Sequence, residues 1–502
     1  MKRKFFAAFL SLVICFSAFS FSSGAVSVSD ADRAKIDGAV YEADISELHA
    51  MLVSGLITSR RLTEIYTERI NEYNGAFNCF ITLCGNALSE ADSRDKTLSE
   101  KKDVPRLFGI PVVIGDDIDL AGEVSTKGES RKKTAAETDA DVVKYLKENG
   151  AVIVGKTNIS TYAKALNYTI SAVAGETKNA YSKNLSSGGS SGGAASAVSL
   201  NMAAAGIGGD SGGGLLFPAA LNGCFALRTT RGTVSESGVY FSNPSEGTVG
   251  GVARSVSDLA TITDSLTGGK TSYFENLNPD SLVGLRVGIL SELSKTTSFS
   301  TWPVSAVDIE TKELFYAAVA ELEKCGVEVV EVSVPKLFIL YSNCVSATGD
   351  AKTVAYERYY SAFKETLEKN SLSAFIFPTF LSEPNSSGRN AEGYPKADYE
   401  NFVLTSGYIS QILGTPEITV PIGRHSSGAS VGMEISASRG EEQKLLNIAY
   451  SFEKRVETRE AVNSAPNLYE SGDETVVRLM FKYKTGPFEF LNAFYSGLGL
   501  SQ

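Results

Sequence analysis

Ser187-Gly188-Gly189-Ser190-Ser191-Gly192-Gly193 stands upstream of Gly209-Asp210-Ser211-Gly212-Gly213-Gly214-Leu215-Leu216-Phe217-Pro218-Ala219, and the reading of this pair decides the fold. By composition alone, residues 186–214 resemble a flexible linker, being dense in Gly, Ser and Ala. A linker is not interrupted by Ala197-Val198-Ser199-Leu200-Asn201-Met202-Ala203-Ala204-Ala205. That run has few long side chains, so its elements can pack closely around a site where glycine leaves backbone N–H groups uncovered. Nucleotide motifs do not fit. No Gly-Lys-Ser/Thr ends the first cluster, and no G-x-G-x-x-G follows a strand.

Outward from this centre the chain alternates helix and strand. Asp44-Ile45-Ser46-Glu47 predicts a capping box, with Ile45, Leu48 and Leu52 on one face and Gly55 as the stop. A second helix is expected from about Ser59 to Tyr73, ended by Asn74-Gly75. His49 lies on the first helix, where a surface or packing role is expected rather than catalysis. Ile110–Ile114, Ala151–Val154, Arg286–Leu290 and Val327–Val334 read as short apolar strands. Asp141–Lys147 and Ala306–Lys324 read as helices. The pattern predicts an α/β fold with a mixed, largely buried sheet.

The bulk properties set bounds. The chain has 502 residues, 43% apolar and 21% charged, with a formal net charge of −11. An acidic chain is repelled by nucleic acid and anionic membrane, so neither is expected as a partner. Lys2, Arg3 and Lys4, the apolar run Phe5–Phe21 and Ser23-Gly24-Ala25 predict a secretory signal peptide over residues 1–25, and hence a secreted protein. An uncleaved membrane anchor is the alternative. Residues 26–455 are then one domain, and 456–502 a C-terminal extension, polar and then aromatic. Five cysteines remain after cleavage: Cys79, Cys84, Cys224, Cys325 and Cys344. Their spacing predicts free buried thiols, with a Cys79–Cys84 bridge as the alternative. No spacing fits a metal site, and the chain has only two histidines, so no metal and no cofactor is expected.

The two clusters closely resemble the amidase signature family, whose pattern is a Gly-Gly-Ser-Ser-Gly-Gly loop followed by Gly-Thr-Asp-x-Gly-Gly-Ser-x-Arg-x-Pro-Ala. The resemblance runs across roughly residues 40 to 455. Gly109-Ile110-Pro111-Val112-Val113-Ile114-Gly115-Asp116-Asp117-Ile118-Asp119 is similar to the family's G-I-P-V-x-V-K-D-N-I-D. Gly150-Ala151-Val152-Ile153-Val154-Gly155-Lys156-Thr157-Asn158-Ile159-Ser160 is similar to its G-A-x-x-x-G-K-T-N-x-S. The blocks 247–260, Phe377-Pro378-Thr379 and Gly414–Gly423 follow in order. The resemblance implies an amidase signature fold with a mixed central sheet covered by helices on both faces. It also implies a Ser–cis-Ser–Lys hydrolase, in which a lysine acts through a bridging serine to activate a nucleophilic serine. Backbone N–H groups before the nucleophile form the oxyanion hole, and a carboxamide becomes an acid plus an amine or ammonia.

Carried over position by position, the resemblance places the bridging serine on Ser190, the base lysine on Gly115 and the nucleophile on Gly214. The family's arginine two positions later falls on Leu216. Ser211, Gly212 and Gly213 retain the oxyanion turn, which is expected to bind substrate or ligand. The stretch between Asp350 and Pro378 is short for the family, and Ser187 replaces a proline. The expected protein is an exported pseudoamidase that binds a small amide or carboxylate, or a partner protein, in the space left by the two lost side chains. One alternative is an active amidase with relocated residues drawn from Lys156, Ser191, Ser211, Asp116, Asp117 and Asp210. The other is a scaffold that has kept only the fold.

Overall fold

The structure, a computed structural model, describes residues 29–469 except 102, 130, 132–133, 295–307, 383, 397–406 and 408. The expected signal peptide lies outside the described residues. The strands are β1 (Phe80–Leu83), β2 (Pro111–Gly115), β3 (Val152–Thr157), β4 (Ile170–Ser171), β5 (Gly175–Glu176), β6 (Ala205–Asp210) and β7 (Phe225–Arg228). They continue with β8 (Thr248–Ala253), β9 (Arg286–Leu290), β10 (Glu328–Val332), β11 (Ala374–Pro378), β12 (Glu417–Arg424) and β13 (Ser430–Ser436). Among the described residues, eleven of them form one sheet in the order β1-β3-β2-β6-β8-β7-β12-β13-β11-β9-β10. β2 runs parallel to β3 and β6, and β9 parallel to β10 and β11. The remaining pairings are antiparallel. The expected mixed α/β sheet, flanked by helices, is present.

Glycine lets the two faces be covered so closely. Gly250 and Gly251, adjacent in β8, point to opposite faces. A Cβ on Gly250 would lie 2.7 Å from Leu215 Cδ2, just before the helix Leu216–Leu221. One on Gly251 would lie 2.5 Å from Ile262 Cγ2 of the helix Val256–Leu266. The helix Gly192–Ser199, every residue of it buried, packs on β2, β3, β6 and β8. Small residues thus serve close packing rather than flexibility.

The N-terminal helix Ile45–Ser54 has the predicted capping box, and Gly55 ends it in the left-handed region at φ 78°. The next helix departs from expectation. It runs from Ser59 to Phe77, through Asn74-Gly75, and ends at left-handed Asn78. A mid-helix glycine costs about 1 kcal/mol, and the complete burial of Phe77 in the core offsets it. Asn74 works past the helix end instead, its Oδ1 accepting from Cys79 N at 2.8 Å. The helix expected from Ala306 begins at Ile309, capped by Asp308, with 306–307 outside the described residues. His49 is largely buried, and burial pushes its imidazole down to about 4, which keeps it neutral at physiological pH. Cys79 and Cys84 are free, and burial pushes both thiols up to about 12.

The segment the sequence marks as short is one helix, Asp350–Lys369, leading directly into β11. It builds a second apolar cluster from Tyr359, Phe363, Phe375 and Phe377. After residue 455 the chain packs back on the domain as far as it is described. Arg459 is nearly buried and pairs with Glu42. Arg69 donates to the carbonyls of Ala465 and Pro466.

Candidate active site

The centre forms where two chain segments leave the sheet on the adjoining strands β2 and β6 and meet the 187–191 loop. β2 ends in Gly115-Asp116-Asp117, β6 ends in Asp210 and a glycine turn, and the 187–191 loop feeds the helix Gly192–Ser199. The loop is held by backbone and hydroxyl contacts and by the Asn222 side-chain amide, which donates to Ser187 O at 3.0 Å. Gly189 N donates to Leu166 O at 2.7 Å, Ser160 N to Ser190 O at 3.0 Å, and Ser191 N to Gly214 O at 2.9 Å. Thr169 Oγ1 donates to Gly188 O at 2.8 Å and accepts from Gly192 N at 3.0 Å. The Gly189–Ser190 peptide is cis. Gly189 must be glycine, since a Cβ there would stand 2.1 Å from Tyr168 O.

Ser190 and Gly214 are brought together as the resemblance implies. A Cβ on Gly214 would lie 2.8 Å from Ser190 Oγ and 3.7 Å from Leu166 Cδ2. The space of a side chain at 214 is therefore partly taken by the Ser190 hydroxyl. At Gly115 the filling is more complete. A Cβ there would meet Asp117 Oδ1 at 2.2 Å, so the Asp117 carboxyl occupies the root of any side chain at 115. The room expected from the two glycines has, at its nearest points, been taken up by neighbours. The reason is close packing: an interior leaves few voids larger than a water molecule.

Asp117 is the electrostatic outlier of the centre. It is 2% exposed, and its Oδ1 is buried with no hydrogen-bond partner. Burial, reinforced by the neighbouring Asp116 charge, pushes its carboxyl up to about 7. Gly209 makes room for it, since a Cβ at 209 would lie 2.7 Å from Asp117 Oδ2. Asp116 is differently served: Gly128 N donates to it at 3.1 Å, and Thr126 donates both its N–H and its hydroxyl. Lys156 is fully buried on β3, with Nζ 2.6 Å from Ser125 Oγ and 3.7 Å from Asp116 Oδ1. Burial holds this amine below its ordinary range, against the pull of Asp116 and Asp117.

The turn after β6 is organised by Asp210. Its Oδ1 accepts from Gly212 N at 3.0 Å and Gly213 N at 2.9 Å, and its Oδ2 from Leu215 N at 2.9 Å. Arg228 Nη1 donates to the same Oδ1 at 2.7 Å, and both side chains are fully buried. Burial opposes the Asp210 charge, but Arg228 and the turn's N–H donors outweigh it and hold the carboxyl below the usual range. Two N–H groups of the expected oxyanion turn thus point at Asp210. Gln411 covers the turn, its Oε1 only 2.3 Å from where a Cβ on Gly212 would stand. Leu216 is fully buried in the helix Leu216–Leu221. Sequence reading missed Arg228 and Gln411. Arg228, a lone charge in an apolar strand, carried a readable signal; Gln411 carried none.

Comparison with known proteins agrees with this geometry. The family model described as Amidase matches residues 61–359. The chain is 26% identical over 487 residues to a glutamyl-tRNA(Gln) amidotransferase subunit of Thermoanaerobacter pseudethanolicus, covering 83% of this chain and 96% of that protein. It is 35% identical over 218 residues to the putative amidase AmiB2 of Mycobacterium tuberculosis, covering 43% of this chain and 47% of that one. Among solved structures, the native peptide amidase of Stenotrophomonas maltophilia superposes with a TM-score of 0.72 at 26% identity, covering 86% of this chain and all of that one. With the family match spanning more than half of its length, the chain belongs to the amidase family.

Proposed function

We propose that this protein is an exported pseudoamidase, an amidase-family chain that does not turn amide over. The observation that carries the reading is the occupancy of the two glycine positions. Asp117 fills the root of the lysine's place, and Ser190 Oγ borders the nucleophile's place with no base in hydrogen-bonding reach among the described residues. In a comparable serine triad, loss of a member costs on the order of 10⁶ in rate, and a second loss adds little. Export rests on the N-terminal residues 1–25, and N-terminal sequencing of protein recovered outside the cell tests it.

The test of the chemistry compares the mature chain with two variants on aliphatic, aryl and fatty amides. The first is G115K/G214S. The second adds Asp117→Asn, which removes the carboxylate charge that would hold a lysine at 115 protonated and matches the family's K-D-N. A silent wild type with turnover in the triple variant is expected, and the double variant should lag behind it. Wild-type turnover that survives Ser190→Ala would overturn the reading.

A second reading, hydrolysis by relocated residues, is favoured by Asp117 itself. A carboxyl pushed up to about 7 has the protonation balance of a general acid–base group near neutral pH. That reading requires wild-type turnover abolished by Asp117→Asn.

A further inference from the structure

A cavity of about 340 Å³ opens beside the catalytic frame, lined by Arg231, Lys352 and Arg439 together with Tyr356, Ser245 and Glu357. Two of the three cations have carboxylate partners. Lys352 Nζ lies 3.5 Å from Glu246 Oε1, and Arg439 Nη1 lies 2.9 Å from Glu357 Oε1. Arg231 differs. Its Nη2 donates to the carbonyl of Gln411, its Nε is buried with no partner, and no carboxylate pairs with it among the described residues. Burial, with the like charges of Arg228 and Arg439, works against the Arg231 charge and outweighs the support of Tyr356 and Glu246. A guanidinium held this way is short of an anion.

The surroundings add to the same field. Gly349, Lys352 and Thr353, at the N-terminus of the twenty-residue helix Asp350–Lys369, line the cavity. No side chain caps that helix, so the positive end of its dipole lies at the cavity wall, offset in part by Asp350 in the first turn. Glu357 is the one carboxylate lining the cavity, and Arg439 neutralises it. Glu246 behind the wall also accepts from Tyr356 Oη at 2.7 Å. Among the lining residues and Glu246 these pairings leave one positive charge, on Arg231, with Glu236 acting on it from outside the lining.

We propose that this cavity binds a small oxyanion, a carboxylate or phosphate, with Arg231 as its principal donor. The planar guanidinium fork suits two oxygens of one such group, and Lys352 and the uncapped helix end supply the remaining charge. The volume leaves room for several further heavy atoms of the ligand. The site is separate from Ser190 and Gly214 and does not depend on whether that centre turns over amide. It meets the centre through Gln411, which accepts from Arg231 and also covers Gly212, and through Glu246, whose carbonyl accepts from Arg228 and whose carboxylate pairs with Lys352.

The test is calorimetric titration and thermal melting of the mature protein with succinate and with inorganic phosphate, against chloride at equal ionic strength. Binding of at least one anion is expected, and which one binds distinguishes the two sources. Arg231→Gln should weaken it by about tenfold to a hundredfold, the worth of hydrogen bonds to a charged group. Arg231→Lys, which keeps the charge and loses the fork, should also weaken it, and Lys352→Gln should do so to a smaller degree. No binding of either anion beyond chloride would overturn the proposal. Binding that is unchanged in both Arg231 variants would overturn it as well.

Discussion

Asp117→Asn tests the electrostatics of the centre through stability alone. In the folded chain the Asp117 carboxyl is pushed up to about 7, while its ordinary value is 3.8. Below pH 4 both folded and unfolded chains carry the proton, and Asp117 costs nothing. Between pH 4 and 7 the unfolded chain ionises and the folded chain does not. The folded state then binds more protons, and stability falls as pH rises. Above pH 7 the penalty is constant. At 1.36 kcal/mol per unit, the gap is worth about 4 kcal/mol at its plateau. At pH 5 about 1.5 kcal/mol of it has developed, so roughly 2.5 to 3 kcal/mol separates pH 5 from pH 8. Asparagine has the same shape and does not titrate. Its amide adds a burial cost, but that cost is the same at both pH values. The assay is urea unfolding of wild type and variant by far-ultraviolet circular dichroism at pH 5 and pH 8. The variant should gain on wild type by about 2.5 to 3 kcal/mol between the two. A difference that stays within about 1 kcal/mol across this window would refute the reasoning, for it would mean that Asp117 is charged at both pH values.

The paired charge beneath the turn predicts the opposite sign of effect. Arg228→Met strands the buried Asp210 carboxylate and should cost about 3 to 5 kcal/mol, read as a fall in melting temperature. Gly250→Ala would put a methyl 2.2 Å from Leu227 O and 2.7 Å from Leu215 Cδ2. It should cost at least about 1 to 3 kcal/mol or prevent folding, as measured by soluble yield and urea unfolding. Cys79 and Cys84 should resist a thiol reagent in the native protein and react on denaturation, because both are buried and their thiols are pushed up to about 12. Rapid native labelling of either would contradict their placement in the core.

Much of the fold was legible because its signals are local. The capping box at Asp44, the alternation of short apolar strands with amphipathic helices, and the glycine-rich clusters each report on a few neighbouring residues. The end of the helix Ser59–Phe77 was not legible. Asn74-Gly75 is a stop signal by propensity, but the burial of Phe77 overrides it, and that burial depends on distant partners. The packing of Arg459 on Glu42, 417 positions away in the chain, was hidden for the same reason.

The sequence by itself determined the family framework and the identity of the residues at its centre: Ser190 present, glycine at 115 and 214, leucine at 216. These are matters of residue type at fixed spacing, and no folding is needed to read them. Only the tertiary structure decided what became of the vacated space. Asp117 lies against Gly115, the Ser190 hydroxyl against Gly214, and the N–H groups of the turn against Asp210. It also decided that Arg231 and Lys352, far apart in the chain, share one cavity. Which side chain fills a void, and which charge is left without a partner, follows from close packing in three dimensions. Neither is encoded by any local run of residues.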